Sequence, residues 1–196
     1  MTKRKGADSE ETKEAILSAA AEEFYECGYE KASLRHICSM AGVTTGAVYC
    51  FFDNKEDLLF NVMLPIFNIV SSISIDYDKV LNDDFTAFDD FQKFFSANRK
   101  LYHILYNNMS NPVIKGYLDS IADEFGCQII EMARKVVSGK GELPAATSEY
   151  ISRCLAPIMV YSIIKIIAEE PDDLIVTQRL VTTVMVFKNG ILSLLK

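Results

Sequence analysis

The side chains of this chain best suited to chemistry lie between Ser33 and Lys55. Ser33, Thr44 and Thr45 carry hydroxyls, Tyr49 a phenol, Cys50 a thiol, and Arg35 and Lys55 positive charges. No base or nucleophile pattern accompanies them. The chain has only two histidines, no G-x-S-x-G, no glycine-rich phosphate loop and no histidine–carboxylate spacing for a metal. Its five cysteines (Cys27, Cys38, Cys50, Cys127 and Cys154) form no C-x-x-C pair and no local nucleophile signature, so an enzyme, a zinc site and a cofactor are not expected. Hydroxyls, a phenol and cations without a catalytic partner suit hydrogen bonding to phosphate oxygens and base edges.

Two short helices joined by a tight turn must position these groups. Leu34, Ile37, Cys38 and Ala41 fall at helical spacing, which gives the first helix (about Ser33 to Met40) one apolar face and leaves Arg35 and Ser39 opposite. Gly42 stops that helix where a backbone at positive φ is least costly. Val43 follows as an apolar plug, and Thr44 or Thr45 can cap the second helix, about Thr45 to Phe51. Val48 and Phe52 point that helix inward and leave Thr45, Tyr49 and Cys50 outside. This is the spacing of a helix-turn-helix, whose second helix can enter a DNA major groove. A longer helix, about Glu10 to Cys27, carries Ile16, Ala20 and Phe24 to bury the back of the pair, and Gly28 ends it. Asn54 opens a fourth helix to about Ser72, with Asp57 three residues on in the manner of a capping box. Pro65 within it predicts a kink, either a lever or a passive bend.

Ala15-Ile16-Leu17, Ala20, Phe24, Gly28-Tyr29, the helix-turn-helix and Asn54-Lys55-Glu56-Asp57-Leu58 agree in order and spacing with one family. Over about a quarter of the chain the sequence resembles the DNA-binding domain of the tetracycline-repressor (TetR) family of bacterial regulators. Cys38 stands where alanine is common in that pattern, and Cys50 where a larger polar or aromatic residue is common. The resemblance implies base and phosphate contacts from Thr44, Thr45 and Tyr49, close backbone approach at Gly46, and a phosphate contact from Lys55. Ser33 caps the first helix, whose N-terminus can sit on a phosphate. Arg35 is either a contact or a solvated charge, and Tyr49 either reaches DNA or packs on the first helix. His36 reads as a surface residue.

The net charge of −7 opposes DNA binding taken as a sum. Its placement matters more. From Lys31 to Lys55 three cations face one acid (Asp53), while Glu10, Glu11, Glu14, Glu22, Glu23 and Glu26 crowd the first helix. Met1 to Ser9 reads as a disordered basic arm, frayed or touching a minor groove. It has no apolar run behind it, so it is no secretory signal. The longest apolar stretch, Leu155 to Ala168, is short and carries Lys165, so no membrane span is expected. Unpaired thiols and no export signal predict a cytoplasmic protein.

At 196 residues, 49% apolar and poor in glycine and proline, the chain is read as all-α with about nine helices. Residues 1–53 form a three-helix DNA-binding head, and 54–196 a helical bundle for ligand binding and dimerisation. After a break at Ser74 to Asp84, read as a loop or short turn, helices are expected at Asp84–Ser96, Asn98–Asn108, Asn111–Val137, Ala145–Glu169 and Asp172–Leu195, with a loop at Ser138–Pro144. Phe91, Phe95, Tyr102, Tyr106, Tyr117 and Phe125 are either plain core or the lining of a pocket. Arg99 and His103 share a polar stripe with Asn107, either solvated or an anchor for an anionic ligand, and Tyr161 with Lys165 carries the same alternatives. The last two helices are apolar on too many faces for one small core, so a four-helix dimer interface is expected. The resemblance implies the same: a homodimeric regulator, most often a repressor, that binds a palindromic operator and is released by a small-molecule effector.

Overall fold

The computed structural model describes residues 4–72, 76–86, 88–137 and 142–195, and all regular structure among them is helical. Residues 1–3 of the expected arm, residues 138–141 of the expected loop and the side chain of Phe91 lie outside what is described.

Three helices make the head: α1 (Arg4–Cys27), α2 (Leu34–Ala41) and α3 (Thr45–Val48). The residues between Arg4 and Ser9 are helical, not an arm. Ala7 and the Glu-rich stretch that follows are strong enough helix formers to carry the helix back past Gly6. α2 packs across α1, and α3 across α2. Ile16, Ala20, Phe24, Ile37, Val48 and Phe52 meet with almost no exposure, which fixes the angle of the two short helices.

The bundle follows as α4 (Lys55–Ser72), α5 (Tyr77–Leu81), α6 (Phe88–Asn107), α7 (Pro112–Val137), α8 (Ala145–Tyr150), α9 (Ala156–Glu169) and α10 (Asp173–Leu194). The Asn54 side chain accepts the Asp57 N–H at 2.9 Å, and the Asp57 carboxylate accepts the Asp53 N–H at 3.0 Å, so the start of α4 is closed from both sides. α4 then continues through Pro65. The stretch expected as a loop or short turn before Asp84 contains the five-residue α5, capped by Asp76 through the Lys79 N–H at 3.1 Å. The two helices expected on either side of residue 97 meet at a kink within α6, where Asn98 leaves helical geometry (φ −116°, ψ 15°).

A single π-helical turn, Ile151–Leu155, joins α8 to α9. Pro157 lies just beyond it and has no N–H to give to the previous turn. The Ala156 N–H instead reaches back five residues to the Ile151 carbonyl. Ala145–Glu169 therefore runs as one helix of 25 residues with a window of mean hydropathy 1.7, long and apolar enough by composition to cross a membrane. That departs from the expectation that no segment qualifies. In this fold the helix packs on α6, α7 and α10, and it carries Glu149, Arg153 and Lys165.

α1 also packs against α4 and α6, and the main core runs without a break from Ile16 in the head to Leu180 in α10. A second cluster around Ile129, Met132, Ile151 and Ile191 fills the far end of the bundle.

Candidate nucleic-acid interface and internal cavity

The pose of α2 depends on a carboxylate that looks, by composition, like one more surface acid. Glu23 is 4% exposed. It accepts the Ser33 N–H at 2.8 Å and pairs with Nδ1 of His36 at 2.5 Å, binding the start of α2 to the side of α1. Those bonds, the Ser33 N–H foremost and then His36, hold its carboxyl below the usual value against the opposing effect of burial. The Ser33 hydroxyl accepts the His36 N–H at 3.4 Å, so Ser33 and His36 are both engaged in positioning α2. A signal for Glu23 exists in the sequence. It stands seven residues after Ile16 and three after Ala20, on the buried face of α1, where a charge needs a partner.

Gly42 ends α2 at φ 67°, a conformation open to glycine, and the Val43 N–H returns to the Cys38 carbonyl at 3.0 Å. The chain turns, and Thr44 caps α3 by accepting the Ala47 N–H at 3.2 Å. α3 is shorter than the pattern predicts. It holds α geometry only to Val48, and tighter bonds from Cys50 to Ala47 and from Phe51 to Val48 carry the chain on to Phe52. Val48 and Phe52, with one tight turn between them, are both buried and hold the segment down.

Ser33, Arg35, Thr44, Thr45, Gly46, Tyr49 and Cys50 are all exposed or partly so, Tyr49 at 54%. The Cys50 thiol donates to the Gly46 carbonyl at 3.3 Å, which turns it back along its own helix. Lys55 is partly buried. Its Nζ lies 4.7 Å above the Tyr29 ring and donates to the Glu30 carbonyl at 3.2 Å, so the ammonium is held beside the end of α1. The arrangement presents hydroxyls, a phenol and cations beside the starts of two helices, where unpaired N–H groups also favour anions.

Behind the head lies a cavity of about 190 Å³. Its wall draws on α4, α6, α7, α9 and α10, including Phe67, Phe95, Tyr102, Leu118, Ile164 and Phe187. Of the residues expected near a ligand, Phe95, Tyr102 and Phe125 line it, whereas Arg99, His103, Tyr106, Tyr117, Tyr161 and Lys165 stand outside its wall. Arg99 joins the end of α9 to the start of α10, donating to the Ile167 carbonyl at 3.3 Å and to the Asp173 carboxylate. A hydrogen bond from Ser96, then Arg99, holds the Asp173 carboxyl below its usual range. His103 packs its ring on Tyr25 of α1, with centroids 5.2 Å apart. Tyr117 stacks on Phe67 at 4.0 Å. Lys165 pairs with Glu169 at 3.9 Å and lies 5.9 Å from the Tyr106 ring. Tyr161, partly desolvated and close to Asp119, has its phenol pushed up.

Comparison with known proteins places the sequence likeness in the head. Residues 16–62 match the model of bacterial regulatory proteins of the tetR family. The chain is 41% identical over 61 residues to the HTH-type transcriptional repressor BepR of Brucella suis, 31% of this chain and 29% of that one. It is 39% identical over 59 residues to the HTH-type transcriptional regulator TtgR of Pseudomonas putida, 30% and 28% of the two chains. These matches span less than a third of either relative's length. The fold likeness runs further. A TetR-like transcriptional regulator from Rhodococcus sp. RHA1 superposes with a TM-score of 0.62 at 15% identity, over 91% of this chain and 96% of that one.

Proposed function

Because this chain belongs to the tetR family of bacterial regulatory proteins, we propose that it is a transcriptional repressor, not an enzyme, working in the cytoplasm. It binds a palindromic operator as a homodimer and leaves it on binding a small-molecule effector. The observation that carries the proposal is the accessible set Ser33, Arg35, Thr44, Thr45, Gly46, Tyr49 and Cys50 on one rigidly seated helix pair, with Lys55 beside it. Thr44, Thr45 and Tyr49 reach bases and phosphates in the major groove, and Arg35 and Lys55 neutralise phosphates. Residues 1–53 act as the reading head and 54–196 as the sensing and dimerising body.

Support for a switch comes from α4. It starts at the proposed phosphate contact Lys55 and places Ile66 and Phe67 in the cavity wall. Next to Lys55, the Glu56 carboxylate accepts a hydrogen bond from Asn111 at 3.1 Å, and Asn111 caps α7, whose Leu118 and Ile121 also line the cavity. Occupancy of the cavity biases both helices that meet at the head. The effector favours a dimer whose α3 helices no longer match successive major grooves, about 34–36 Å apart. A coupling of about 1–3 kcal/mol is the usual size for such a switch.

The test is selection of bound fragments from the source genome by the purified protein at near-physiological salt. Enrichment of one palindromic site, lost on Tyr49→Ala with the fold intact, is the expected result. A folded dimer that enriches nothing in any ligand state rules the reading out.

A further inference from the structure

The make-up of the cavity wall narrows the class of effector, an inference that rests on the reading of this cavity as the effector site. We propose that the effector is a small uncharged hydrocarbon, a ring with a short branch, held by packing alone and without a hydrogen bond from the wall.

Size comes first. An apolar protein cavity of about 150 Å³ holds benzene, so about 190 Å³ holds a ring with a short substituent. Phe67, Phe95, Phe125 and Phe187 supply flat walls that match a ring.

Polarity decides the class. Ligand pockets ordinarily set a few polar groups among apolar ones to fix orientation. Ile66, Phe67, Leu105, Leu118, Ile164 and Leu180 make the buried wall here. All six lie inside helices, so their backbone N–H and C=O groups are paired along the helix. Tyr102 lines the cavity with ring carbon only, because its hydroxyl is buried with almost no accessible surface on any side. No ligand atom comes within hydrogen-bond distance of that oxygen. Arg99, the cation expected to anchor an anion, stands outside the wall and is tied to the Ile167 carbonyl and the Asp173 carboxylate. A polar group carried into this space sheds its water and finds nothing in exchange.

Charge points the same way. Apart from Lys188, the charged members of the wall stand at or near the surface: Asp76, Lys79 and Asp84 in α5 and its flanks, and Glu124 on α7. Asp76 already accepts the Lys79 N–H, and Asp84 the Thr86 N–H, each at 3.1 Å. Gln128, one turn after Glu124, is partly exposed and has interactions of its own. Lys188, 6% exposed, is paired with the half-exposed Asp83. With Asp83 included, four carboxylates stand against two ammonium groups around this cavity, which repels an anion. A cation drawn to the rim must leave those carboxylates behind to reach the buried wall. The wall selects molecules without charge or polar groups.

Four probes of similar shape separate the classes: cumene (a hydrocarbon), acetophenone (a ring with a carbonyl), benzoate (an anion) and 1-phenylethylamine (a cation at neutral pH). Titration calorimetry on the whole chain is expected to show cumene bound, acetophenone roughly tenfold weaker, and neither ion bound. Leu118→Phe on α7 and Val160→Phe on α9 each fill part of the space and should weaken cumene binding by about tenfold. Acetophenone or either ion binding best, no binding of cumene, or cumene affinity unchanged in both folded variants overturns the proposal. If neither variant folds, the ranking of the four probes on the unmodified protein decides alone. Operator affinity, measured with and without cumene, keeps this proposal apart from the reading beneath it. Operator binding with no cumene bound sinks the hydrocarbon class and leaves the regulator standing. Cumene bound in the cavity with operator affinity unchanged sinks the effector role itself.

Discussion

At the scale of single residues, the head depends on Glu23. Its carboxyl is held below its usual 4.5 by the Ser33 N–H and by His36. A depressed folded value means that the stabilisation is complete above pH 4.5 and is lost as pH falls through the folded pKa. Glu23→Gln is expected to cost about 1–3 kcal/mol at neutral pH, and thermal melts should show the gap to the unmodified protein closing below about pH 4.5. A gap that stays constant down to about pH 3 would contradict this account. Lys55 makes a different kind of prediction, because its ammonium is proposed to neutralise a phosphate. In Lys55→Ala the salt slope of operator affinity should fall by about 0.9 for each phosphate left without its cation, about 1.8 for a dimer, while the helical content stays the same. Glu23 also marks where reading by composition fails. Six glutamates in one helix look alike until each is placed on a face. The positions of Thr44, Thr45 and Tyr49, by contrast, were readable from the glycine stop and the apolar spacing around them.

Helices and their junctions were legible wherever the apolar period was long. α7 begins where Asn111-Pro112 places it, capped by the Asn111 side chain at 3.0 Å from the Val113 N–H. Local breaks were less legible, because they answer to packing. α5 forms on one aspartate cap inside a stretch whose apolar pattern breaks. The cavity shows the same limit. Phe95 and Phe125 line it, but so do Ile66, Met159 and Leu180, which neither an aromatic ring nor a polar neighbour marks in the sequence. The π turn packs on α7 in a way that can be tested. It lies against Gly126 of α7, where an added Cβ would stand 3.0 Å from the Ser152 Cα and 3.4 Å from the Ala156 Cβ. Gly116, earlier on α7, has open space at the same point. Both positions gain helix propensity on substitution by alanine, about 1 kcal/mol. Gly116→Ala should therefore raise stability by up to that amount, whereas Gly126→Ala should fall below it by about 1–3 kcal/mol through overpacking. Chemical denaturation of the two variants side by side gives the difference, and equal midpoints would show that the π turn gives way freely.

For the molecule as a whole, the question is what α9 and α10 face. The apolar surplus of the last two helices is smaller than their composition implies. Met159, Val160, Ile164, Val176, Leu180 and Ile191 are buried within the chain. What remains outside is Ile158 on α9 with Leu174, Ile175, Met185, Val186 and Leu194 on α10. Val186 is the informative member, because at 64% exposure it contributes little to the monomer. A charge placed there changes monomer stability by no more than about 0.5 kcal/mol. In a two-fold interface the same substitution puts two carboxylates into a contact that excludes water, at several kcal/mol without partners. Val186→Asp is therefore expected to leave the thermal melt of the dilute chain intact and to shift sedimentation from dimer to monomer at micromolar concentration. Operator affinity should fall with it, since one head holds only half of a palindrome. A dimer that survives Val186→Asp unchanged would move the two-fold axis away from α10, and with it the distance between the two reading heads.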